Sequence, residues 1–256
     1  MFIPIGDDNR DRRTTPIVNY LIIIANILVF VFLQDWGRNF SFTYGYSTVP
    51  AEILTGHDIV SNSRVVVDQL TGQNIEIPGL APTPINVYLT LITSMFMHGG
   101  IAHILGNMLF LFIFGDNIED SMGHGRYLFF YLLCGVIAGL TNVFATVFFG
   151  QSPYMPSLGA SGAISGVMGG YLLLFPTRRV RIWLFFFFTI SVPAFIAVGV
   201  WFVFQVISGL GALGGDQANG GIAYAAHIGG FIAGLVLVKF FEKKRRVLVN
   251  ERKAFW

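Results

Sequence analysis

Charge is scarce in this chain of 256 residues, and the scarcity limits what kind of protein it is. Asp, Glu, Lys and Arg make up 12% of the sequence, against about 25% in soluble domains. Hydrophobic residues make up 54%, and the mean hydropathy is +0.66. These values exclude a disordered chain, a collagen-like chain and a soluble globular enzyme. They leave a polytopic membrane protein.

Cysteine and net charge are low as well. A single cysteine, Cys134, excludes a disulfide framework and any metal site built from several cysteines. There is no H-E-x-x-H motif, and His98 and His103 are five residues apart, off a common helix face. We therefore expect no metal and no organic cofactor. The net charge of +2 gives no argument for a nucleic acid partner.

Apolar runs of membrane-spanning length recur along the chain. A bilayer core needs about 17–25 mostly apolar residues per helix, and six runs meet this need: Ile17–Leu33, Ile101–Glu119, Tyr127–Phe149, Ser157–Phe175, Ile182–Ile207 and Gly221–Phe241. We predict an all-α membrane domain over residues 16–241, a polar tail at 1–15 and a basic tail at 242–256. Residues 34–84 are mixed in character and are predicted to form a large extracytoplasmic first loop. No signal-peptide cleavage site is evident, so we expect no cleaved leader.

Basic residues indicate the orientation. Of the 16 Lys and Arg residues, 14 fall in the N-terminal tail, after the second and fourth spans, and at the C-terminal end. Only Arg38 and Arg64 lie in the first loop. Because Lys and Arg accumulate on the cytoplasmic side, both termini are predicted to be cytoplasmic. The second, fourth and sixth spans then all enter the membrane from its outer face.

Polar side chains within those three spans are functional candidates, because intramembrane polar groups are costly. Ser161 lies in the fourth span, His227 in the sixth, and His103 and Asn107 in the second. Counted from the outer face at 1.5 Å per residue, Ser161, His227 and Asn107 lie about 6–9 Å deep. A hydroxyl, an imidazole and an amide are thus predicted to share one layer.

This set of side chains suits nucleophilic catalysis. A serine hydroxyl reacts when a base takes its proton, and an imidazole such as that of His227 does so near neutral pH. His103 and Asn107 are spaced i, i+4, so they share a helix face, and both can donate to an oxyanion. No Asp or Glu lies at the same depth. The arrangement is therefore predicted to be a Ser–His dyad.

Small residues recur along the two spans that carry the serine and the base. Glycine repeats every four residues in both spans, at Gly162, Gly166 and Gly170 and at Gly230 and Gly234. Such stripes let two membrane helices approach closely. A direct hydrogen bond between Ser161 and His227 requires that approach.

Each feature also has a simpler explanation. A membrane serine such as Ser161 usually just bonds back to a carbonyl group of its own helix, Ser165 is expected to pack and not to react, and glycine stripes usually serve packing alone. His103 and Asn107 could be interhelical hydrogen-bonding residues, and His227 a proton relay or a packing residue. Two other function classes stay open. One is a catalytically silent membrane chaperone or trafficking factor; the other is a small transporter or channel, although no internal repeat of the transporter kind is found.

Three motifs, in this order, resemble those of the rhomboid family of intramembrane serine proteases. They are His98-x-x-x-x-His103-x-x-x-Asn107, Gly159-Ala160-Ser161-Gly162 and Ala226-His227-x-x-Gly230-x-x-x-Gly234, on the second, fourth and sixth predicted helices. Glu119-Asp-Ser-Met-Gly123 resembles the Glu-x-x-x-Gly turn that follows the family's second helix. The resemblance covers about residues 16 to 241.

The resemblance implies a fold and a set of roles. The fold would be a six-helix rhomboid-like bundle with a large loop between helices one and two. Ser161 would be the nucleophile and His227 the base. The remaining residues would support them: His103, Asn107 and the backbone N–H groups of Ser161 and Ala160 as the oxyanion hole, His98 at the head of the second helix, and Gly162, Gly230 and Gly234 in helix packing.

The resemblance also implies substrates and a setting. Substrates would be transmembrane proteins in the lipid bilayer, cut near the outer membrane face at a small residue. Residues of about Gly209–Gly220 would form a mobile cap over the site. We expect a prokaryotic plasma membrane, because no transit peptide or extra domain is evident. The sequence predicts neither the physiological substrate nor the oligomeric state.

Two positions depart from the family pattern. Many members have a Trp-Arg pair shortly before the second helix, where this chain has Leu89-Thr90. Many also place an aromatic residue four positions after the serine, where it stacks on the histidine; this chain has Ser165 there. We expect another aromatic ring or the Ser165 hydroxyl to orient His227. Neither change removes a catalytic group, so we do not predict an inactive relative.

Overall fold

Helices dominate the computed structural model, which describes residues 2–67, 74–77, 79–184, 188–213 and 224–243. Its helices are α1 (Ile17–Leu28, continued by a π-helical turn over Val29–Leu33), α2 (Phe40–Gly45), α3 (Pro50–Thr55), α4 (Thr90–Thr93), α5 (Ile101–Met122), α6 (His124–Phe148), α7 (Ser161–Leu174), α8 (Ala194–Leu213) and α9 (Tyr224–Phe241). Its strands are β1 (Phe2–Asp7), β2 (Arg64–Val67), β3 (Asn74–Ile77), β4 (Arg179–Leu184) and β5 (Phe188–Pro193).

Four helices of the described residues are long and apolar enough to cross a membrane. They are α5, α6, α9 and the Ala194–Gly211 part of α8. Shorter apolar helices cover Ile17–Leu33, Val87–Phe96 and Ser161–Leu174. The prediction of a mostly helical membrane protein is confirmed, and the count of six spans stays a prediction.

Helix α7 lies at the centre of the bundle, with α5, α6, α8 and α9 packed around it. Every residue from Gly162 to Tyr171 is buried. The predicted start of this helix at Ser157 is wrong. Ser157 instead pairs with Thr48 in an isolated β-bridge, and Gly159 has a φ of +119°, a conformation that a regular helix does not accept. The helix therefore begins at Ser161, which is its first residue and not its fifth.

The predicted fifth span, Ile182–Ile207, also starts too early. Strands β4 and β5 form an antiparallel hairpin, and helix α8 begins only at Ala194. Along β4 the exposed Arg181 separates the buried Val180 and Ile182. This alternation has the period of a strand. A hydropathy average over the whole run does not detect this alternation and therefore merges the strand with the helix that follows.

The N-terminal tail carries a strand that the sequence analysis did not predict. Strand β1 pairs antiparallel with β4, from Phe2 opposite Leu184 to Asp7 opposite Val180. The resulting three-stranded sheet has the order β1-β4-β5. It joins the start of the chain to the connection between α7 and α8.

Polar contacts hold this sheet to the ends of α5 and α7. The carboxyl group of Asp7 accepts hydrogen bonds from the Tyr171 hydroxyl at 2.6 Å and from the Asn117 amide at 2.8 Å. The guanidinium of Arg178 donates to the Asn117 side-chain oxygen. Burial raises the pKa of Asp7 to about 6. Its carboxyl group is therefore half protonated near pH 6.

A buried carboxylate joins α1 to the turn between α5 and α6. Glu119 accepts hydrogen bonds from the backbone N–H groups of Val18 at 2.9 Å and Asn19 at 2.7 Å. These groups lie in the first turn of α1, where N–H groups lack partners within the helix. Glu119 also contacts Nδ1 of His124 at 2.5 Å. Gly123, with a φ of +81°, reverses the chain between the two helices.

Several basic segments that were predicted to share one side of the membrane meet at one end of the bundle. Strand β1 reaches the residues after α7 through the sheet. The backbone N–H of Lys243, just after α9, donates to the Ser121 carbonyl at the α5–α6 turn at 2.9 Å. Helices α5, α7 and α9 all end here, so they all begin at the opposite end.

The first loop folds over that opposite end. Thr48 bonds through its hydroxyl to the Thr90 carbonyl at 2.9 Å and to the Ser94 hydroxyl at 3.0 Å. At the position of the missing Trp-Arg pair, Leu89 is half exposed and Thr90 is buried. Backbone and hydroxyl contacts therefore tie the loop to the segment before α5.

Candidate active site

Ser161 and His227 are in direct contact. The hydroxyl oxygen of Ser161, at the start of α7, lies 2.8 Å from Nε2 of His227 in the first described turn of α9. This is a hydrogen-bond distance for two side chains 66 residues apart. A nucleophile and a base thus meet with no residue between them.

Glycines bring the two helices close enough for this contact. A Cβ atom on Gly230 would overlap the carbonyl oxygen of Gly162, and one on Gly234 would overlap the carbonyl oxygen of Gly166. A Cβ on Gly162 would also lie 2.7 Å from the Cβ of Ala138 on α6. The backbones of α7 and α9 therefore touch at these four glycines.

His103 and Asn107 lie beside the serine on one face of α5. A Cβ on Gly159 would lie 2.8 Å from the His103 ring and 3.7 Å from Nδ2 of Asn107, so the Gly159–Ser161 segment runs against both side chains. Nδ2 of Asn107 is buried and has no hydrogen-bond partner among the described residues. A buried donor without an acceptor is costly, and an oxygen bound in the cavity would satisfy it.

His98 lies three residues before the start of α5. Its backbone N–H donates to Oε1 of Gln34 at 3.0 Å, and Nε2 of Gln34 donates to the His98 carbonyl at 2.9 Å. The His98 ring lies edge-on to that of His103, with centroids 5.1 Å apart. Neither ring nitrogen of His98 has a hydrogen-bond partner among the described residues.

These groups line one cavity of about 1180 Å³. Its walls also include apolar residues of the first loop and of the segment before α7, such as Phe40, Met155 and Leu158. An apolar cavity with a few convergent polar groups is typical of a binding or active site. Within the described ranges, no group of three His, Cys, Asp or Glu side chains could hold a metal ion.

Helix α8 contributes two side chains that the sequence analysis missed. Oε1 of Gln205 lies 2.7 Å from Nδ1 of His227. The ring of Trp201, one turn earlier on the same helix, has its centroid 6.1 Å from that of the imidazole. Gln205 is an amide in an apolar run. The rule that singled out Ser161, the cost of an intramembrane polar group, could therefore have found it.

Ser165 does not orient the histidine. Its hydroxyl donates to the carbonyl group of Ser161 at 2.6 Å, the back-bond expected of a membrane serine. Among the described residues, the rings of Trp201, at 6.1 Å, and Tyr224, at 6.4 Å, lie beside that of His227. The aromatic neighbours of His227 are thus on α8 and α9, not on α7.

The predicted cap falls partly on helix α8. Gly209 to Leu213 are helical, so the expectation of a mobile loop is wrong for them. Residues 214–220 lie outside the described residues.

The sequence model of the Rhomboid domain matches residues 86–244, more than half of the chain. The chain belongs to the rhomboid family. Rhomboid protease GluP of Bacillus subtilis is 37% identical over 214 residues, which cover 84% of this chain and 35% of that protein. Rhomboid protein 1, mitochondrial, of Saccharomyces cerevisiae is 30% identical over 162 residues, 62% of this chain and 44% of that protein.

The human Presenilin-associated rhomboid-like protein, mitochondrial, is 30% identical over 156 residues, which cover 59% of this chain and 37% of that protein. The chain thus spans less than half the length of each of these rhomboids. The resemblance found in the sequence is confirmed, and the chain is an integral membrane protein of the rhomboid family. Because two of these relatives are named mitochondrial, the expectation of a prokaryotic plasma membrane gains no support.

Proposed function

We propose that this rhomboid is an intramembrane serine endopeptidase that cuts transmembrane proteins near the outer membrane face. The observation that carries the proposal is the 2.8 Å contact between Ser161 Oγ and His227 Nε2. A catalytically silent chaperone on the same scaffold needs no such contact. A nucleophile within hydrogen-bond reach of its base is the common signature of covalent hydrolases.

Acylation starts with the Ser161 hydroxyl. As Oγ bonds to the carbonyl carbon of the scissile peptide, its proton passes to Nε2 of His227. His227 then gives this proton to the leaving amine, and the C–N bond breaks. An acyl ester on Ser161 remains. Water from the cavity replaces the amine, His227 takes a proton from it, and hydrolysis of the ester restores the hydroxyl.

The negative charge of the tetrahedral intermediate needs hydrogen-bond donors. Nδ2 of Asn107 is the strongest candidate, because it is buried and without a partner in the described structure. His103 lies one turn earlier on the same face, and the backbone N–H groups of Ser161 and Ala160 lie where α7 begins. A helix start exposes free N–H groups. One such donor contributes about 10²–10³-fold in kcat.

The remaining site residues support this machinery. His98, held by Gln34 through its backbone, lies against the His103 ring and limits how that ring can turn. Gly166 and Gly234, like Gly162 and Gly230, keep α7 and α9 in backbone contact. No metal or organic cofactor takes part in the proposed reaction.

We further propose six spans, with α1 and α7 crossing alongside the four longer helices, and with both termini cytoplasmic. The basic N-terminal segment and the basic segment between α7 and α8 meet at the end of the bundle that carries the three-stranded sheet, which supports a cytoplasmic location of that end. Helix α7, with 14 residues, is about 21 Å long, against about 30 Å for the bilayer core. If its C-terminal end is level with the cytoplasmic boundary, Ser161 lies about 9 Å below the outer one.

The test is to offer the purified protein a fluorophosphonate probe and a model transmembrane substrate in detergent. We expect labelling and cleavage by the wild type and neither by Ser161→Ala. Ser165→Ala is the matched control, because its hydroxyl bonds back to the helix, and it should still be labelled. Equal labelling and cleavage by Ser161→Ala would refute the proposal and favour a silent relative.

A further inference from the structure

The imidazole of His227 is held on both of its nitrogens, by side chains of two different helices. Nε2 faces Ser161 of α7 at 2.8 Å, and Nδ1 faces Oε1 of Gln205 of α8 at 2.7 Å. Gln205 is 8% exposed. We propose that Gln205 is a positioning residue that fixes the tautomer of His227, so that the site is a Ser–His–Gln triad and not a dyad. This inference rests on the protease function proposed above.

The proton count of the imidazole determines its tautomer here. A neutral imidazole carries one N–H and one lone pair, and an amide oxygen only accepts hydrogen bonds. A hydrogen bond from Nδ1 to Oε1 of Gln205 therefore requires the proton on Nδ1. The lone pair is then on Nε2 and faces the Ser161 hydroxyl. In the opposite tautomer, Nε2 carries a proton and cannot take another from the serine.

An amide suits this position because it carries no charge. Burying a carboxylate at membrane depth costs several kcal/mol, and no Asp or Glu lines the described part of the cavity. Among the residues that the structure describes, the titratable groups near His227 are Ser161 on α7, His103 on α5 and Tyr224 on its own helix. None of them is negatively charged at neutral pH. Gln205 is thus the group that can order the Nδ1 proton.

Packing holds the face of α8 that presents the glutamine. Trp201, four residues earlier, contacts His227, Phe110 and Phe231, with ring centroids 6.1–6.5 Å apart. Phe202 stacks on Phe231 at 4.2 Å. Residues at i and i+4 lie on one helix face. The same contacts that seat Trp201 therefore direct Gln205 at the imidazole.

The first test removes the acceptor and keeps the length of the side chain. For Gln205→Met we expect kcat to fall about 10–100-fold with KM unchanged. This loss is smaller than the roughly 10⁴-fold loss of kcat that follows removal of the carboxylate of a Ser-His-Asp triad, because an amide stabilises the imidazolium less than a carboxylate does. Phe204→Leu, at the neighbouring position, which is 62% exposed, is the control and should keep both constants.

The second test changes the charge. Gln205→Glu keeps an acceptor at Nδ1 and adds a negative charge that favours the protonated imidazole. We expect this variant to be active and the acidic limb of its kcat profile to move to higher pH. A side chain at position 205 that does not face Nδ1 of His227 would leave that limb where it is. This variant also decides the question if Gln205→Met does not fold.

The tautomer of His227 can be determined by NMR, without measuring catalysis. In protein labelled with ¹⁵N-histidine, the signals that vanish in His227→Ala belong to His227. Wild type should show Nδ1 protonated and Nε2 free, and Gln205→Met should show a mixture. The positioning role is refuted if Gln205→Met keeps the wild-type tautomer and kcat and Gln205→Glu keeps the wild-type pH profile. If Ser161→Ala is inactive in the same assays, the proposed protease function is still supported. A wild type that neither cleaves nor labels refutes the protease itself.

Discussion

Adding one methyl group at Gly234 tests whether the contact between α7 and α9 sets the geometry of the site. The Cβ of an alanine there would overlap the carbonyl group of Gly166, and backbone cannot move aside as the end of a side chain can. Overpacking of this kind costs about 1–3 kcal/mol. For a chain of this size the loss corresponds to a drop in Tm of about 2–12 °C.

The same substitution should slow catalysis from a distance. Gly234 is seven residues, or about 10 Å along α9, from His227 and touches no reacting group. If the helices separate by about 1 Å at this contact, the 2.8 Å hydrogen bond between Ser161 and His227 lengthens and loses alignment. A misplacement of about 1 Å can cost about 10²-fold in rate. We expect kcat to fall by that factor with little change in KM.

The measurements are cleavage of a model transmembrane substrate and thermal unfolding, both in detergent. Gly199→Ala on α8 is the matched control, because a Cβ there meets no atom within 4 Å; its Tm and kcat should equal those of the wild type. If Gly234→Ala also kept the wild-type Tm and kcat, the Gly166–Gly234 contact would not control the distance between serine and histidine.

Three further predictions concern single side chains. His227→Ala should lose nearly all turnover, and Asn107→Ala should lose about 10²–10³-fold because other donors remain; a fully active Asn107 variant would end its oxyanion role. Glu119→Gln should lower the free energy of unfolding by about 1–3 kcal/mol, since the two N–H groups of α1 lose their charged acceptor, and an unchanged thermal unfolding curve would contradict this. Burial raises the pKa of Asp7 from 3.8 to about 6, so its contribution to stability is full below about pH 4 and is lost as pH rises through 6. Amide hydrogen exchange in strand β1, corrected for its intrinsic pH dependence, should therefore show protection that is weaker at pH 7 than at pH 5 by about 1 kcal/mol. Asp7→Asn should remove this difference. If the wild type and Asp7→Asn showed the same change in protection between the two pH values, the role of Asp7 would be refuted.

The layer of polar groups could be predicted because it depends only on helix parity and rise. Asn107, Ser161 and His227 lie on helices that enter from one end, and the structure brings them to one cavity. The position of Ser161 within its helix is predicted wrongly. The sequence pattern puts it one turn inside a longer helix, whereas in the structure it starts a shorter one, because Gly159 and the residues before it leave the helical path.

The role of α8 could not be predicted from periodicity. Its residues are almost uniformly apolar, so hydrophobicity does not indicate which face turns inward. That rotation depends on tertiary contacts such as the stack of Phe202 on Phe231, and it decides that Gln205 meets His227. The hairpin β4–β5 was missed for a related reason. A short strand at the end of a long apolar stretch merges with the helix that follows it.

The pairing of β1 with β4 sets an order of events during synthesis. Phe2–Asp7 pairs with residues about 175 positions later in the chain, so β1 is made long before its partner strand. At 5–20 residues per second, the strand waits roughly 10–35 s before β4 emerges. By then α1, α5, α6 and α7 have been made. Strand β1 can therefore complete its sheet once β4 has been made, before α8 and α9 follow, and truncating β1 should disturb assembly at this stage.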